Sequence, residues 1–564
     1  MLSKIIENLS SCMKEIAPEV SKENFQFPGK FGDISCNIAF ASAKKIGKNP
    51  IAYSEELSKQ IESNLPTFIE KVDSKGGYLN FFIDYSQLFE LILKDEEIPK
   101  TGKKILIEFS NPNPCKAMHI GHARTTLLGD SISEILRFRG NEAIRANYYN
   151  DLGKQFAKAV FAVKTYGLNP DKKPDHALAD IYVQLHKDIK EHPEYEKEIQ
   201  DILNRLERND HALNELRQRV LDGAMKGFMQ TYKKLSVNFD INFFESNYRE
   251  DGKNIAREIE KKGFAFYSDE GTLVANLEKS GLPNTVLLRS DGTGLYITSD
   301  LSLAISRFEK YKLDECVWVV GADQNLYFQQ LFKIFELLGY PFAKKCFHMS
   351  YGMVTLQGSK MSSRAGEFIL LDELMDEVID RAKEEVRKRH EDIDEKEVEK
   401  IASMIGIGAL KYEILKVDRN RNVDFNPGKA LQFEGNTGPY VQYMTVRCGA
   451  ILKKAPGKPQ PDCNCGDKCA ELDFSSYNPT DHEKNLLRKF MEFSIATQKS
   501  AEQLKPNTIC NYAFELATIF SQFYENCKVI GTDEEPYRLL LVQKTKETLE
   551  KCLGLLRIEV PERM

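Results

Sequence analysis

At 564 residues, with 42% hydrophobic and 29% charged content, the chain is too long for one core and has the make-up of a soluble protein of three or more domains. A formal net charge of −6 excludes coating of nucleic acid by bulk charge but leaves room for a local basic surface. The apolar runs are strand-sized, Met1–Glu7 has no signal-peptide core, and twelve cysteines follow no regular framework, so a cytoplasmic protein with reduced thiols and no membrane segment is expected.

Residues 1 to about 100 mix helical spacing (Ile6–Ile16, Ser54–Ser63) with an alternating strand pattern at Tyr78–Ile83, which predicts a small α+β domain. The polar stretch Lys94–Lys104, with a Pro and a Gly, reads as a linker. Next come a buried-strand run (Ile105–Phe109), a Pro-containing loop (Ser110–Met118), a helical pattern (Ile120–Phe138) and a second strand run (Ala143–Tyr149). That order opens a nucleotide-binding α/β unit. Asp175–Phe239 is charged and helical without strand runs, which predicts a helical insertion over about 170–245. Strand runs return at Leu273–Ala275, Thr285–Leu288, Cys316–Val320 and Cys346–Tyr351. From Asp372 only helical periodicity is visible, broken by loops at 420–428 and 455–478. The expected plan is an N-terminal domain (1–100), a Rossmann-like α/β parallel-sheet domain with its insertion (101–371), and an all-α bundle (372–564).

Within Pro114–Arg124, His119 and His122 straddle Gly121 at a predicted helix start. Such a start offers free N–H groups and a positive dipole end, both suited to phosphate, and Gly121 permits close approach of a base or ribose. Two histidines three apart also fit an inert helix start or a metal site. No cysteine or carboxylate stands nearby at ligand spacing, and no metal is expected. Gly358–Gly366 is a small basic loop in which Lys360 and Arg364 suit a triphosphate and Ser362 and Ser363 supply donors; alone it fits a solvated surface loop equally well. Cys463, Cys465 and Cys469, with Cys448 or His482, lack a standard zinc spacing.

Together these segments resemble the HIGH and KMSKS motifs of class I aminoacyl-tRNA synthetases, in the required order around a Rossmann-like domain. Ser363 stands where that family usually carries a second lysine. Arginyl-tRNA synthetases often lack it and resemble this chain in a lysine just before HIGH, here Lys116. Glu108–Asn113, Asn147–Phe156, Tyr296–Leu301, Val320–Gln324, Phe433–Tyr440 and the ending Pro561–Met564 also resemble the arginine-specific family, over nearly the whole length. The resemblance implies that Lys116, His119, His122 and Lys360 stabilise phosphoryl-transfer charge, and that His119, Gly121, His122, Lys360, Ser362 and Ser363 bind ATP, with Mg2+ as its counter-ion. It further implies that Glu108, Tyr296 and Asp300 hold the guanidinium of L-arginine while Asn113 and Gln324 hold its α-amino and carboxylate end. For tRNA(Arg), Tyr78, Asn80 and Phe81 would meet a D-loop base, and Tyr524 and Met564 the anticodon. A monomer is expected. The rival readings are another class I synthetase, a tRNA-binding relative without catalysis, and a smaller HIGH-bearing nucleotidyltransferase.

Overall fold

A computed structural model describes residues 2–94, 97–208, 210–356, 369–389, 392–455, 472–474 and 477–564. The chain is organised as two compact units. One comprises residues 1–97, 440–498 and 511–552, the other residues 98–439, 499–510 and 553–564.

The larger unit is built on a five-stranded parallel sheet: β1 (Lys104–Glu108), β2 (Glu142–Tyr149), β3 (Ile241–Phe244), β4 (Glu315–Gly321) and β5 (Cys346–Tyr351), in the spatial order β5-β4-β1-β2-β3. Strand β1 is central and buried on both faces, which is why its sequence is an unbroken apolar run rather than an alternation. Helix α1 (Ile120–Phe138) follows β1 and presses so closely on the sheet that a Cβ at Gly129 would fall 2.1 Å from the Phe109 ring. The insertion contributes α2 (Gly153–Tyr166), α3 (Pro174–Glu191), α4 (Glu194–Glu207) and α5 (His211–Lys234). Then come α6 (Arg249–Lys261), α7 (Tyr296–Tyr311), α8 (Asn325–Leu337), α9 (Leu371–Arg389) and α10 (Glu395–Leu415).

The structure corrects two of these expectations and adds to a third. Ile241–Phe244, inside the range assigned to the helical insertion, is the edge strand β3, paired with Ala146–Tyr149. The runs at Leu273–Ala275 and Thr285–Leu288 join Ala265–Tyr267 in a separate antiparallel sheet. The loop expected at 420–428 contains a strand, Val423–Phe425, paired in parallel with Val354–Leu356.

In the smaller unit, an antiparallel sheet runs in the order Phe25–Gln26, Ile34–Cys36, Tyr78–Ile83, Ile69–Lys75. N- and C-terminal sequence share this unit's core. The Phe89 ring lies 5.2 Å from Phe474 and 5.4 Å from Tyr477, and Lys544 Nζ donates to the Leu93 carbonyl at 2.8 Å. Buried Asp33 accepts from the Ile83 N–H, the Tyr85 hydroxyl and Arg488 Nε, at 2.8, 2.7 and 2.5 Å.

Candidate functional site

The C-terminal ends of parallel strands are where α/β folds bind ligands, and here the turn after β1 is unusual. Ser110 and Asn111 both have positive φ, +74° and +46°, a region side chains avoid. Surrounding hydrogen bonds hold the turn. Asn111 N–H donates to Asn147 Oδ1 (3.0 Å), Asn111 Oδ1 accepts from the Tyr148 N–H (3.0 Å), and Ser110 Oγ meets the Tyr232 hydroxyl (2.7 Å). Asn111 Nδ2 in turn donates to Glu108 Oε1 at 2.9 Å, so the strained turn fixes the carboxylate at the end of β1.

Helix α7 crosses the sheet face that carries Glu108. Its Asp300 and Arg307, seven residues apart, lie on one helical face. Arg307 is fully buried, ion-pairs with Glu108 Oε2, and sits with its guanidinium carbon 4.4 Å from the Phe243 ring centre. Asp300 accepts from the Tyr327 hydroxyl of α8. Buried Glu245, just past β3, accepts from Asn150 Nδ2 at 3.1 Å and stands 3.8 Å from Arg249 Nη1. Three carboxylates therefore face two guanidiniums. Burial first, and then the fields of Glu108 and Glu245, push the Asp300 carboxyl up to about 7, against the Tyr327 hydrogen bond and Arg307. With Asp300 ionised, the described residues leave the pocket one positive charge short.

Of the residues named for this pocket, Glu108 and Asp300 are brought together on that sheet face. Tyr296, 51% exposed, stands one turn before Asp300 on α7 and feels the field of Glu245. Asn113 shapes its own loop, donating to Gln155 Oε1 (2.8 Å) and accepting from the Cys115 N–H (2.9 Å). Gln324 is exposed and donates to Asp323 at 3.0 Å. The sequence reading missed Glu245, Tyr327 and Arg307. For Arg307 the available signal was its spacing, two turns after Asp300 on the same face.

At the start of α1, His119 is the N-cap. Its Nδ1 accepts from the Gly121 N–H (3.1 Å), and His122 Nδ1 accepts from the His119 N–H (3.1 Å). Burial and the ammonium of exposed Lys116 lower the His119 pKa to about 4. Burial, then His119 and Lys116, hold His122 well below the usual imidazole value. Both rings are neutral at pH 7, and with Nδ1 accepting, each carries its proton on Nε2. A Cβ at Gly121 would lie 2.8 Å from the His119 ring, so glycine lets that ring fold back over the helix start. Lys360, Ser362, Ser363 and Arg364 lie outside the described residues, as do Cys463, Cys465 and Cys469. Beyond them the next described residues are anchored to the same helix start: the Leu371 N–H donates to Met118 O at 2.9 Å, and Leu370 bridges His119.

Among the described residues one group has metal-ligand spacing, Asp175, His176 and Asp372. The Lys173 ammonium already occupies it, 2.9 Å from Asp175 and 2.8 Å from Asp372, while His176 Nε2 lies 3.0 Å from Asp372.

The residues named for tRNA contact divide. Asn80 and Phe81 are both buried, Asn80 accepting from Ser35 Oγ at 2.7 Å and Phe81 lying in the sheet core. Accessible rings near the start of the Tyr78–Ile83 strand are Tyr78, Phe40 (5.0 Å) and Phe31 (6.5 Å), with Lys30 Nζ 5.4 Å from the Tyr78 ring and Lys75 Nζ 4.9 Å from Phe31. Tyr524 lies under the Arg447 guanidinium at 4.3 Å. Met564 is partly buried in the larger unit, where adjacent Arg563 ion-pairs with Glu397.

Residues 87–426 match the family model "tRNA synthetases class I (R), catalytic domain", residues 441–564 the "DALR anticodon binding domain", and residues 2–83 the "Arginyl tRNA synthetase N terminal domain". The arginine–tRNA ligase of Clostridioides difficile is 34% identical over 575 residues, covering 99% of each chain. That of Thermococcus sibiricus is 33% identical over 611 residues, covering 95% of this chain and 94% of its own. The solved arginyl-tRNA synthetase of Thermus thermophilus superposes with a TM-score of 0.83 at 30% identity, over 100% of this chain and 99% of its own. No helix of the described residues is long and apolar enough to cross a membrane.

Proposed function

The chain belongs to the arginyl-tRNA synthetases, which activate arginine with ATP and charge tRNA with it, and from that premise we propose how its residues divide the work. The observation that carries the proposal is the pocket beside β1, where Asp300, Glu245 and Glu108 outnumber Arg307 and Arg249 by one charge. Asp300 and Tyr296 hold the guanidinium of L-arginine. Glu108 adds charge, and each of its oxygens keeps a lone pair beyond those taken by Arg307 and Asn111. A planar five-donor cation satisfies such an arrangement, whereas the point charge of lysine leaves acceptors unmet. Asn113 and Gln324 take the α-amino and carboxylate end after exchanging their present partners.

The arginine carboxylate attacks the α-phosphate of ATP, which enters with Mg2+ as its counter-ion, and pyrophosphate leaves. The 2′-hydroxyl of the tRNA's terminal adenosine then takes the arginyl group and AMP leaves. No enzyme nucleophile is required, so positioning and charge stabilisation carry both transfers. His119 and His122 donate through Nε2–H to phosphate oxygens, Gly121 admits the nucleotide, and Lys116 with Lys360 neutralises developing charge. Ser362 and Ser363 add donors to the triphosphate.

For tRNA(Arg), Tyr78 with Phe31 and Phe40 forms a stacking surface flanked by lysines, and Tyr524 under Arg447 offers a second. Met564 is kept as an anticodon contact. The enzyme acts as a monomer in the cytoplasm, and the free thiols of the described cysteines support the compartment.

Pyrophosphate exchange against each amino acid, with and without total tRNA, tests the assignment. Exchange is expected with arginine alone. Exchange with another amino acid, or none in the presence of tRNA, overturns it.

A further inference from the structure

Among the described residues, Tyr148 carries a polar group that the arginine pocket leaves unused. Ala146 of β2 pairs with Glu108 of β1, and Trp318 of β4 pairs with Glu108 from the other side. Strand alternation therefore puts Glu108, Tyr148 and Trp318 on one sheet face, with Tyr148 two residues further toward the ligand-binding end. The ring packs in the cluster formed by Phe243, Ile297, Leu301, Trp318 and Phe328, beneath α7 and α8. Its main chain is held by Asn111, but its hydroxyl has no hydrogen-bond partner among the described residues, and the residue is only 7% exposed.

Such a group is costly, and a partner missing from the protein points to one supplied by a ligand. The surroundings narrow that ligand. Burial first, and then the fields of Asp300, Glu245, Tyr327 and Glu108, keep the phenol protonated. Asp300 already accepts from the Tyr327 hydroxyl, Glu245 from Asn150 Nδ2, and Glu108 from Arg307 and Asn111. The Tyr148 oxygen is the acceptor left over among carboxylates. It is suited to a group that only donates.

We infer that the Tyr148 hydroxyl accepts an N–H of the bound guanidinium and is a specificity residue of the pocket, an assignment that rests on the proposed arginine site. A guanidinium has donors for the carboxylates and one to spare for the phenol. An ammonium lacks the planar spread, and a ureido group turns a carbonyl where a donor is needed.

The test is arginine-dependent pyrophosphate exchange and charging by the full-length Tyr148→Phe enzyme with tRNA. KM for arginine is expected to rise about tenfold or more, with kcat and KM for ATP held within about twofold. The unfolding midpoint of the free enzyme should be unchanged or higher, since an unsatisfied hydroxyl has been removed. An unchanged KM for arginine overturns the inference, as does a loss confined to kcat and stability. Should the phenylalanine variant not fold, Tyr148→Met carries the same comparison. Asp300→Ala separates the two levels. If it too keeps the wild-type KM for arginine, the pocket itself is misassigned; if it alone loses arginine, only the role of Tyr148 fails.

Discussion

Asp300 shows how one residue couples substrate recognition to stability. Its carboxyl is raised to about 7 by burial and by neighbouring carboxylates, so the folded chain keeps a proton that the unfolded chain releases. Folding stability contributed by this group is intact below the ordinary carboxylate pKa and falls as pH climbs to about 7. Asp300→Asn removes that loss. At pH 8 the ligand-free variant is expected to be about 1–3 kcal/mol more stable than wild type in urea, while its arginine-dependent exchange drops by more than about tenfold. Equal midpoints at pH 8 would show that Asp300 is ionised without strain. In the wild type, KM for arginine should fall as pH rises through about 7, because a guanidinium binds the ionised form. At this scale the sequence was partly legible. Asp300 and Glu108 stand where a strand end and a helix start are readable from pattern. Arg307, by contrast, is marked only by its spacing from Asp300, and that spacing does not announce its full burial against Glu108, 199 positions earlier.

Among the elements, β1 and α1 were readable because a short apolar run and a 3.6-residue spacing are local properties. Sheet membership is not local. Leu273–Ala275 and Thr285–Leu288 carry the same apolar signal as the strands of the main sheet, yet they pair with Ala265–Tyr267 instead. Ile241–Phe244 is only four residues long and follows a helix, so its pattern vanished into the insertion. The turn after β1 was legible as a loop but not as a strained one. Asn111→Ala there loses the bonds to Glu108 and to the Tyr148 N–H and puts a less tolerant residue at positive φ. The expected cost is about 2–3 kcal/mol in urea unfolding, with a raised KM for arginine because Glu108 is no longer held. A cost below about 0.5 kcal/mol would mean that the turn is not set by this side chain.

Over the whole molecule, chain order and packing order differ. Residues 1–97 share a unit with 440–498 and 511–552, a grouping that no linker composition reveals. Within it, Arg488→Ala strips one of three donors from buried Asp33 and is expected to destabilise that unit by about 1–3 kcal/mol; thermal unfolding followed at Tyr85 would register it. In the larger unit, the Lys173 ammonium ties Asp175 and Thr231 of the insertion to Asp372 at the start of α9. Hydrogen bonds from His176 and Lys173, with their charges, hold the Asp372 carboxyl well below the usual range despite burial, so acid reaches this knot late. The knot acts as a reversible cross-link across 199 residues of chain. Segments joined in this way open together or not at all. Amide hydrogens of α3 and α9 should therefore exchange with deuterium at matched rates, and Lys173→Ala should let α9 exchange ahead of α3.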